Sequence, residues 1–402
     1  TGATVENSSR DPIRPCALTH CFRDFASRGG FAFALGVVGG KLAGLMKTPR
    51  KVALLIETSN TYARDVLHGI RAWQREHGTW TIRLSEQGRG DGVPDWLRDW
   101  HGDGVIARVE NERIAMALRS TRLPVVDVSA ALPKPVFPRV MTDGAAATQL
   151  ALEHLRERGL GNFGYCGDTR FHWARQRGVF FRAQVERAGR TLHEYVPRGV
   201  GARRPGGDHE MQTLARWLGK LPRPAGVLAC YDIRGQHVLE ACQLAGLAVP
   251  DDIAVIGIHN DELVCDLCHP PLTSVIPDAR RAGYEAAALL TRMMKGERVP
   301  AAIQLVPPLG IACRQSTDVV AVSDERVAAA VRYMRDHASQ GISVADVLKV
   351  VPMSRTLLER RFKLLIGRTL HEYLLRTRLD RVRSLLTSTD LTIGAIADKT
   401  GF

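Results

Sequence analysis

From Lys51 onward, short apolar runs alternate with stretches of helical spacing. Lys51–Glu57 (KVALLIE) is apolar over the length of a strand and predicts one buried on both faces. Tyr62–His77 sets Val66, Leu67, Ile70 and Trp73 at the spacing of one helix face. Trp80–Leu84 and Gly104–Val109 (GVIARV) predict two further strands. Asn111–Ser120 predicts a helix capped by Asn111, and Pro124–Val128 (PVVDV) another strand. The alternation then repeats with a helix at Asp143–Arg158, a strand at Asn162–Cys166 and a helix at Trp173–Ala188. It continues with a strand at Ala225–Asp232, a helix at Ile233–Ala245, a strand at Ile253–Ile258 and a helix at Ala279–Lys295. Strands separated by helices make parallel sheets covered on both faces, and this length of alternation predicts an α/β chain of two stacked, doubly wound lobes.

After Val306-Pro307-Pro308 the pattern changes, and from Ser323 to Phe402 it is all helical; the boundary falls within Asp318–Ser323. Val344–Val350 predicts a short helix, broken at Val351-Pro352-Met353 because proline cannot donate to the helix ladder. Ser354 is a favourable cap for the next helix, Arg355–Leu365. That helix buries Leu358 and Phe362 and exposes Arg355, Thr356, Glu359, Arg360 and Lys363. Two short helices about a tight turn, the second bearing cations, predict a helix-turn-helix. Arg355, Arg360, Arg361, Lys363, Arg368, Arg376, Arg378, Arg381 and Arg383 are opposed over this stretch only by Glu359, Glu372 and Asp380, the excess expected for phosphate contact. Thr369 with Glu372 fits a capping box that opens a helix to about Leu386. Thr392 caps a last one, Ile393–Thr400.

Composition agrees. A chain of 402 residues holds two or three domains, and its formal net charge of +13 favours an anionic partner. The eight cysteines are scattered and read as reduced, small hydrophobes of a cytoplasmic protein. No apolar run is long enough to span a membrane. Residues 1–46 read as an N-terminal extension, disordered or non-native. Its apolar stretch Phe31–Met46 is interrupted by Lys41, and Met46 is a candidate start.

In doubly wound sheets, ligands bind beyond the carboxyl ends of the strands. The polar and aromatic residues there are Asn60 and Tyr62, Trp173 and Arg177, Asp232 and Arg234, and His259. A sugar asks for planar donors, acceptors and an aromatic face, and these side chains supply all three. Cys265-Asp-Leu-Cys268-His269 matches a haem-attachment spacing but sits before Pro270-Pro271 and is set aside. No nucleophile elbow, phosphate loop or zinc-protease motif is present, so no catalytic residue, metal ligand or cofactor is expected.

The C-terminal pattern carries a specific resemblance. Ser-x-x-x-Leu-x-x-x-Phe-Lys at 354–363, Arg378 with Leu385-Leu386, and Ile393-x-x-Ile-Ala-x-x-x-Gly-Phe at 393–402 resemble the arabinose-regulator family of transcription factors, which joins two helix-turn-helix units by a long helix. The resemblance implies that Gly401-Phe402 is the turn of a second unit, truncated before its recognition helix. It also implies that Ser354, Arg355, Thr356, Glu359, Arg360 and Lys363 form the DNA-binding face. The preceding region resembles the sugar sensors of lactose-repressor-type proteins, which have a two-lobed periplasmic-binding-protein-like fold; this domain order is similar to the xylose operon regulator type. The resemblance therefore implies a sensor at 47–317 and a DNA-binding domain at 323–402. It gives Arg177 and Asp232 the role of holding sugar hydroxyls. The expected function is a sugar-responsive transcription regulator for a pentose such as xylose, working as a homodimer on double-stranded DNA. One position departs: His259 stands where that family has Asp, which leaves other pentoses and polyol-like ligands open. The alternatives are a sugar-binding protein for transport or sensing without DNA binding, and an enzyme using Asp232 and Asp261 as acid and base.

Overall fold

The computed structural model describes residues 49–88, 91–196, 206–319, 324–389 and 391–402. Residues 1–46, Ser323 and the side chains of Asp380 and Arg383 lie outside the described residues.

The described residues open with β1 (Lys51–Leu55), α1 (Thr61–His77), β2 (Thr81–Leu84), β3 (Gly104–Ala107), α2 (Glu112–Ser120), β4 (Val125–Asp127) and β5 (Arg139–Thr142). It continues through α3 (Gly144–Glu157), β6 (Asn162–Cys166), α4 (His172–Arg187), β7 (Leu192–Tyr195), α5 (Asp208–Leu218), β8 (Ala225–Ala229), α6 (Asp232–Leu244), β9 (Ile253–Ile258), α7 (Glu262–Leu267) and β10 (Thr273–Ile276). Then follow α8 (Ala279–Met294), β11 (Ile303–Val306) and β12 (Gly310–Ala312).

These strands form two sheets. The first is parallel throughout, in the order β11-β5-β4-β3-β1-β2. The second has the order β12-β10-β9-β8-β6-β7, parallel except where β12 runs against β10. The expected α/β architecture of two doubly wound lobes is therefore present. Sheet membership requires the chain to cross between lobes after β5, after β10 and between β11 and β12. The crossings are tied together: Asp143 N–H donates to Val306 O at 2.7 Å, and Leu309 N–H donates to Ile276 O at 2.9 Å.

The alternation missed β5, β7, β10, β11, β12, α5 and α7, most of them short pieces at lobe edges or crossings. It also ran the strand before α6 too far. β8 ends at Ala229, Tyr231 is extended, and Asp232 already opens α6.

The first lobe is closed by the crossing of α1 and α8. Val66, Ile70 and Trp73 meet Ala282, Ala286 and Leu290 in one apolar core. The two helix backbones touch because the crossing residues are glycines. A Cβ on Gly69 would lie 1.9 Å from Arg280 O, and one on Gly283 2.0 Å from Val66 O.

The C-terminal helices are α9 (Glu325–His337), α10 (Val344–Val350), α11 (Arg355–Ile366), α12 (Leu370–Ser388) and α13 (Ile393–Thr400). Val327, Val331, Met334, Val347, Leu358, Phe362, Leu370 and Leu374 form their common core. The Thr369–Glu372 capping box opens α12 as expected. Ser354 does stand at the N-cap of α11, but its side chain makes no capping bond. Arg335 on α9 joins these helices to the second lobe, donating to Asp318 O at 2.7 Å and to the Asp251 carboxylate at 3.1 and 3.3 Å.

Gly283→Ala forces the α1–α8 backbones apart and is expected to cost about 1–3 kcal/mol, the usual range for overpacking. Gly92→Ala is the control, since a Cβ there meets nothing within 4 Å. Urea midpoints of the two variants check this; equal midpoints would contradict the close crossing.

Candidate functional site

The carboxyl ends of both sheets face a partly open cavity of about 60 Å³. That is several times the space one water needs, the scale of a single small molecule. Of the residues chosen from strand ends, Asn60, Tyr62, Trp173, Arg177 and His259 line it; Asp232 and Arg234 do not.

From the first lobe, Asn60 caps α1, its Oδ1 accepting from Ala63 N–H at 2.9 Å, while its amide donates to Glu57. Glu57 also pairs with Arg108, which reaches Glu110 at 3.3 Å. Ser129 is held by Asp127, whose Oδ1 accepts from the N–H of Ser129 at 2.9 Å and of Val109 at 3.1 Å. The other Asp127 oxygen accepts from buried Arg139 at 2.8 Å.

The second lobe supplies an aromatic wall. Trp173 stacks on Phe171 with ring centres 5.0 Å apart and stands edge-on to Tyr231 at 5.6 Å. The Arg177 guanidinium lies over the Trp173 ring at 4.9 Å. It donates to Cys230 O at 2.5 Å and to His259 Nε2 at 3.3 Å. Tyr62 reaches across the cleft to His259, ring centres 5.4 Å apart.

His259 and Asn260 have φ of +128° and +50°, backbone conformations costing about 1–3 kcal/mol each for residues with side chains. The surroundings compensate. His259 N–H donates to Val275 O at 3.1 Å and Asn260 N–H to Ser274 Oγ at 2.9 Å. Arg314 donates to Asn260 Oδ1 at 2.9 Å.

Asp232 belongs to this support. It is 2% exposed and accepts from the Ser274 hydroxyl at 2.6 Å and from Asp261 N–H at 2.8 Å. Both carboxylate oxygens are thus spent inside the lobe, and Asp232 does not line the cavity. Burial pushes its carboxyl up to about 6, against those two hydrogen bonds, which favour the anion. Arg234 likewise stands away from the cavity lining. It is fully buried, paired with Glu210 at 2.9 Å, and donates to Cys166 Sγ at 3.4 Å and His237 Nδ1 at 3.2 Å. The first turn of α6 carries it away from the cleft.

Arg108, Ser129 and Gln176 line the cavity but were not chosen. The rule that found the others would have found the first two, since Arg108 lies at the end of GVIARV and Ser129 directly follows PVVDV.

On the C-terminal helices, Ser354, Arg355, Thr356, Glu359, Arg360 and Lys363 are all exposed along α11, with Leu358 and Phe362 buried beneath. Glu359 accepts from Arg355 at 2.9 Å and orients it. Arg361 is instead spent on Asp324 at 2.6 Å. Arg378 is spent on Ala338 O and Ile342 O, at 2.9 and 2.6 Å, tying α12 to the turn before α10. Among the described residues, Arg360 and Lys363 have no ion-pair partner. This face therefore presents free cations on a helix that can enter a major groove. Cys265 and Cys268 lie in the second-lobe core, where burial pushes the Cys268 thiol up to about 11. Among the described residues no cluster suited to a metal occurs, and no helix is long and apolar enough to cross a membrane.

Comparison with known proteins follows the same division. Residues 51–144 match the XylR N-terminal domain, residues 152–317 the periplasmic binding protein-like domain and residues 347–402 a helix-turn-helix domain. The chain is 35% identical over 360 residues to the xylose operon regulatory protein of Escherichia coli (strain K12), covering 88% of this chain and 91% of that protein. It is 32% identical over 360 residues to the xylose operon regulatory protein of Haemophilus influenzae, covering 88% and 92%. It is also similar to the solved structure of the xylose-binding transcription activator xylR, at a TM-score of 0.70 and 34% identity over 89% of this chain and 92% of that one.

Asp232→Asn tests the support of the His259 loop. The folded carboxyl, at about 6, binds its proton more tightly than the unfolded one, near 3.8. The stability contribution of Asp232 is therefore complete below pH 4 and is lost as pH rises through 6. The stability difference between wild type and Asp232→Asn should change by up to about 3 kcal/mol between pH 4 and pH 7. Urea unfolding across that range measures it; a difference independent of pH would show that the carboxyl is not held as described.

Proposed function

This chain belongs to the family of xylose operon regulatory proteins and is a DNA-binding transcription regulator rather than an enzyme, and from that premise we propose that a pentose-class monosaccharide bound between its lobes sets its grip on DNA. The observation that supports this is the cavity built from both lobes, in a chain whose C-terminal helices expose a cationic recognition face. Trp173 offers a ring face and Arg177 a planar donor, the two chemistries by which a protein holds a sugar ring and its oxygens. Xylose is the first sugar to test, given the names of the relatives.

In this reading residues 47–317 form the sensor and residues 323–402 the DNA-binding domain. The protein works in the cytoplasm as a homodimer, so that two sets of helices meet two half-sites on double-stranded DNA. Sugar favours the closed arrangement of the lobes by its higher affinity for it. Asn60, Tyr62, Trp173, Arg177 and His259 face the ligand, joined by Arg108, Ser129 and Gln176. Arg355, Thr356, Arg360 and Lys363 face DNA. Arg360 reads a base edge, and Arg355, steered by Glu359, lies nearer phosphate.

A melting-temperature screen of the full chain against pentoses, hexoses and their acid and phosphate derivatives tests the sensor. A ligand at a hundred times its Kd adds about 2.7 kcal/mol to folding stability, which reads as a rise of several degrees. Arg177→Ala should abolish that rise while the protein still unfolds cooperatively; an undiminished rise removes Arg177 from the site. For DNA, duplexes selected from a random pool supply the target. Arg360→Ala should weaken binding to them by about 1–3 kcal/mol and relax one base preference; unchanged selectivity discards its role.

A further inference from the structure

The polar lining of the cleft is unbalanced in charge. Arg108, Arg177 and His259 line the cavity, and no aspartate or glutamate does. Arg108 is already answered by Glu57 and Glu110 behind the wall. Arg177 is not. It is 7% exposed, and its hydrogen bonds go to a carbonyl, Cys230 O, and to His259 Nε2. An arginine can only donate, so His259 meets it as an acceptor without negative charge.

The nearby acids are committed elsewhere. Asp232 spends both oxygens on Ser274 and Asp261 N–H and acts on Arg177 only at a distance. Asp168 is taken by Arg170, which donates to its two oxygens at 2.7 and 3.0 Å. A buried guanidinium without a counter-charge is costly unless an anion completes it. The helix that carries Arg177 adds to the field: α4 starts at the cavity with no side-chain cap and no acid in its first turn, and a helix N-terminus attracts negative charge.

We infer that this cleft takes a monosaccharide bearing an anionic group, a carboxylate or a phosphate, with the Arg177 fork as its anchor. The inference rests on the reading of the cleft as the effector site and narrows its ligand class. The anionic oxygens supply the acceptors that the lining lacks, Trp173 covers a face of the sugar, and Gln176 and Ser129 remain for hydroxyls. A neutral pentose leaves the guanidinium unanswered.

Calorimetric titration of the full-length chain with D-xylose, D-xylonate, D-glucuronate and D-xylose 5-phosphate tests this. At least one of the three anions should bind ten-fold or more tightly than D-xylose, and which one binds separates carboxylate from phosphate. Arg177→Met should erase the preference. His259→Asp places a carboxylate opposite Arg177; it should weaken the anion ten-fold or more and strengthen D-xylose, a reversal that mere loss of structure does not produce. D-xylose binding as tightly as every anion overturns the inference and leaves the sugar-switched regulator standing. Binding of no monosaccharide, neutral or charged, overturns both. The wild-type comparison alone decides the matter should either variant fail to fold.

Discussion

The Asp232 carboxylate, buried at the start of α6, accepts from the Ser274 hydroxyl and from Asp261 N–H, and the second lobe's face of the cleft is arranged around that tie. It can reach so far in because residue 257 is glycine; a Cβ there would lie 2.4 Å from Asp232 Oδ1. The tie fixes the far end of the turn in which His259 and Asn260 hold positive φ, a conformation that survives only where neighbours over-determine it. It thereby decides where the imidazole meets Arg177 and Tyr62. The cleft thus depends on a charged group that does not touch it.

The same tie lies beside the path to the DNA-binding helices. Ser274 has Thr273 as its neighbour on β10, and Thr273 Oγ1 meets Thr317 Oγ1 at 2.8 Å while its N–H donates to Ser316 Oγ at 2.8 Å. Thr317 is held from α3 as well, by His154 at 2.8 Å and through its carbonyl by Arg158 at 2.6 Å. Burial and the Arg158 charge press the His154 imidazole down to about 3, so it serves this network as a neutral group. The next residue, Asp318, gives its carbonyl to Arg335 of α9. Arg314 closes the circuit, donating to Asn260 in the cleft turn while its own N–H donates to Thr273 Oγ1 at 2.8 Å. Cleft turn and DNA-domain anchor are two ends of one bonded region of the second lobe.

Much of this was legible in the sequence, for reasons that also explain what was not. Buried parallel strands such as IAVIGI announce themselves as apolar runs, and α11 announces itself through Leu358 and Phe362 under a row of exposed polar residues. The edge elements carry weaker signals. β11 exposes Ile303, Gln304 and Leu305 and so lacks the alternation of a half-buried strand. β12 has only three residues, and its partners on β10 lie thirty-four or more positions away in sequence. Position after a strand brings Trp173, Arg177 and His259 to one cavity because strand ends share one surface. It does not bring Asp232 and Arg234 there, because α6 starts sooner than the apolar run suggests, and one turn of helix separates residues that face the cleft from residues that face the lobe. Burial direction, unlike strand position, is not written in a local pattern.

The anchoring of the DNA-binding helices constrains how a ligand can act. Arg335 joins these helices to Asp251 and Asp318, both on the second lobe. A ligand bridging the lobes biases the angle between the first lobe and the second by its differential affinity for the two arrangements. Turning the lobes about their three crossings does not by itself move α11 relative to the lobe that holds Arg335. The motion acquires meaning for DNA only against a reference carried by the first lobe. In a homodimer joined through that lobe, each second lobe swings with its own helices, and the spacing between two recognition faces changes with closure. Because half-site spacing on DNA is fixed by the helical repeat, a modest change of angle at the cleft suffices to match or mismatch the operator.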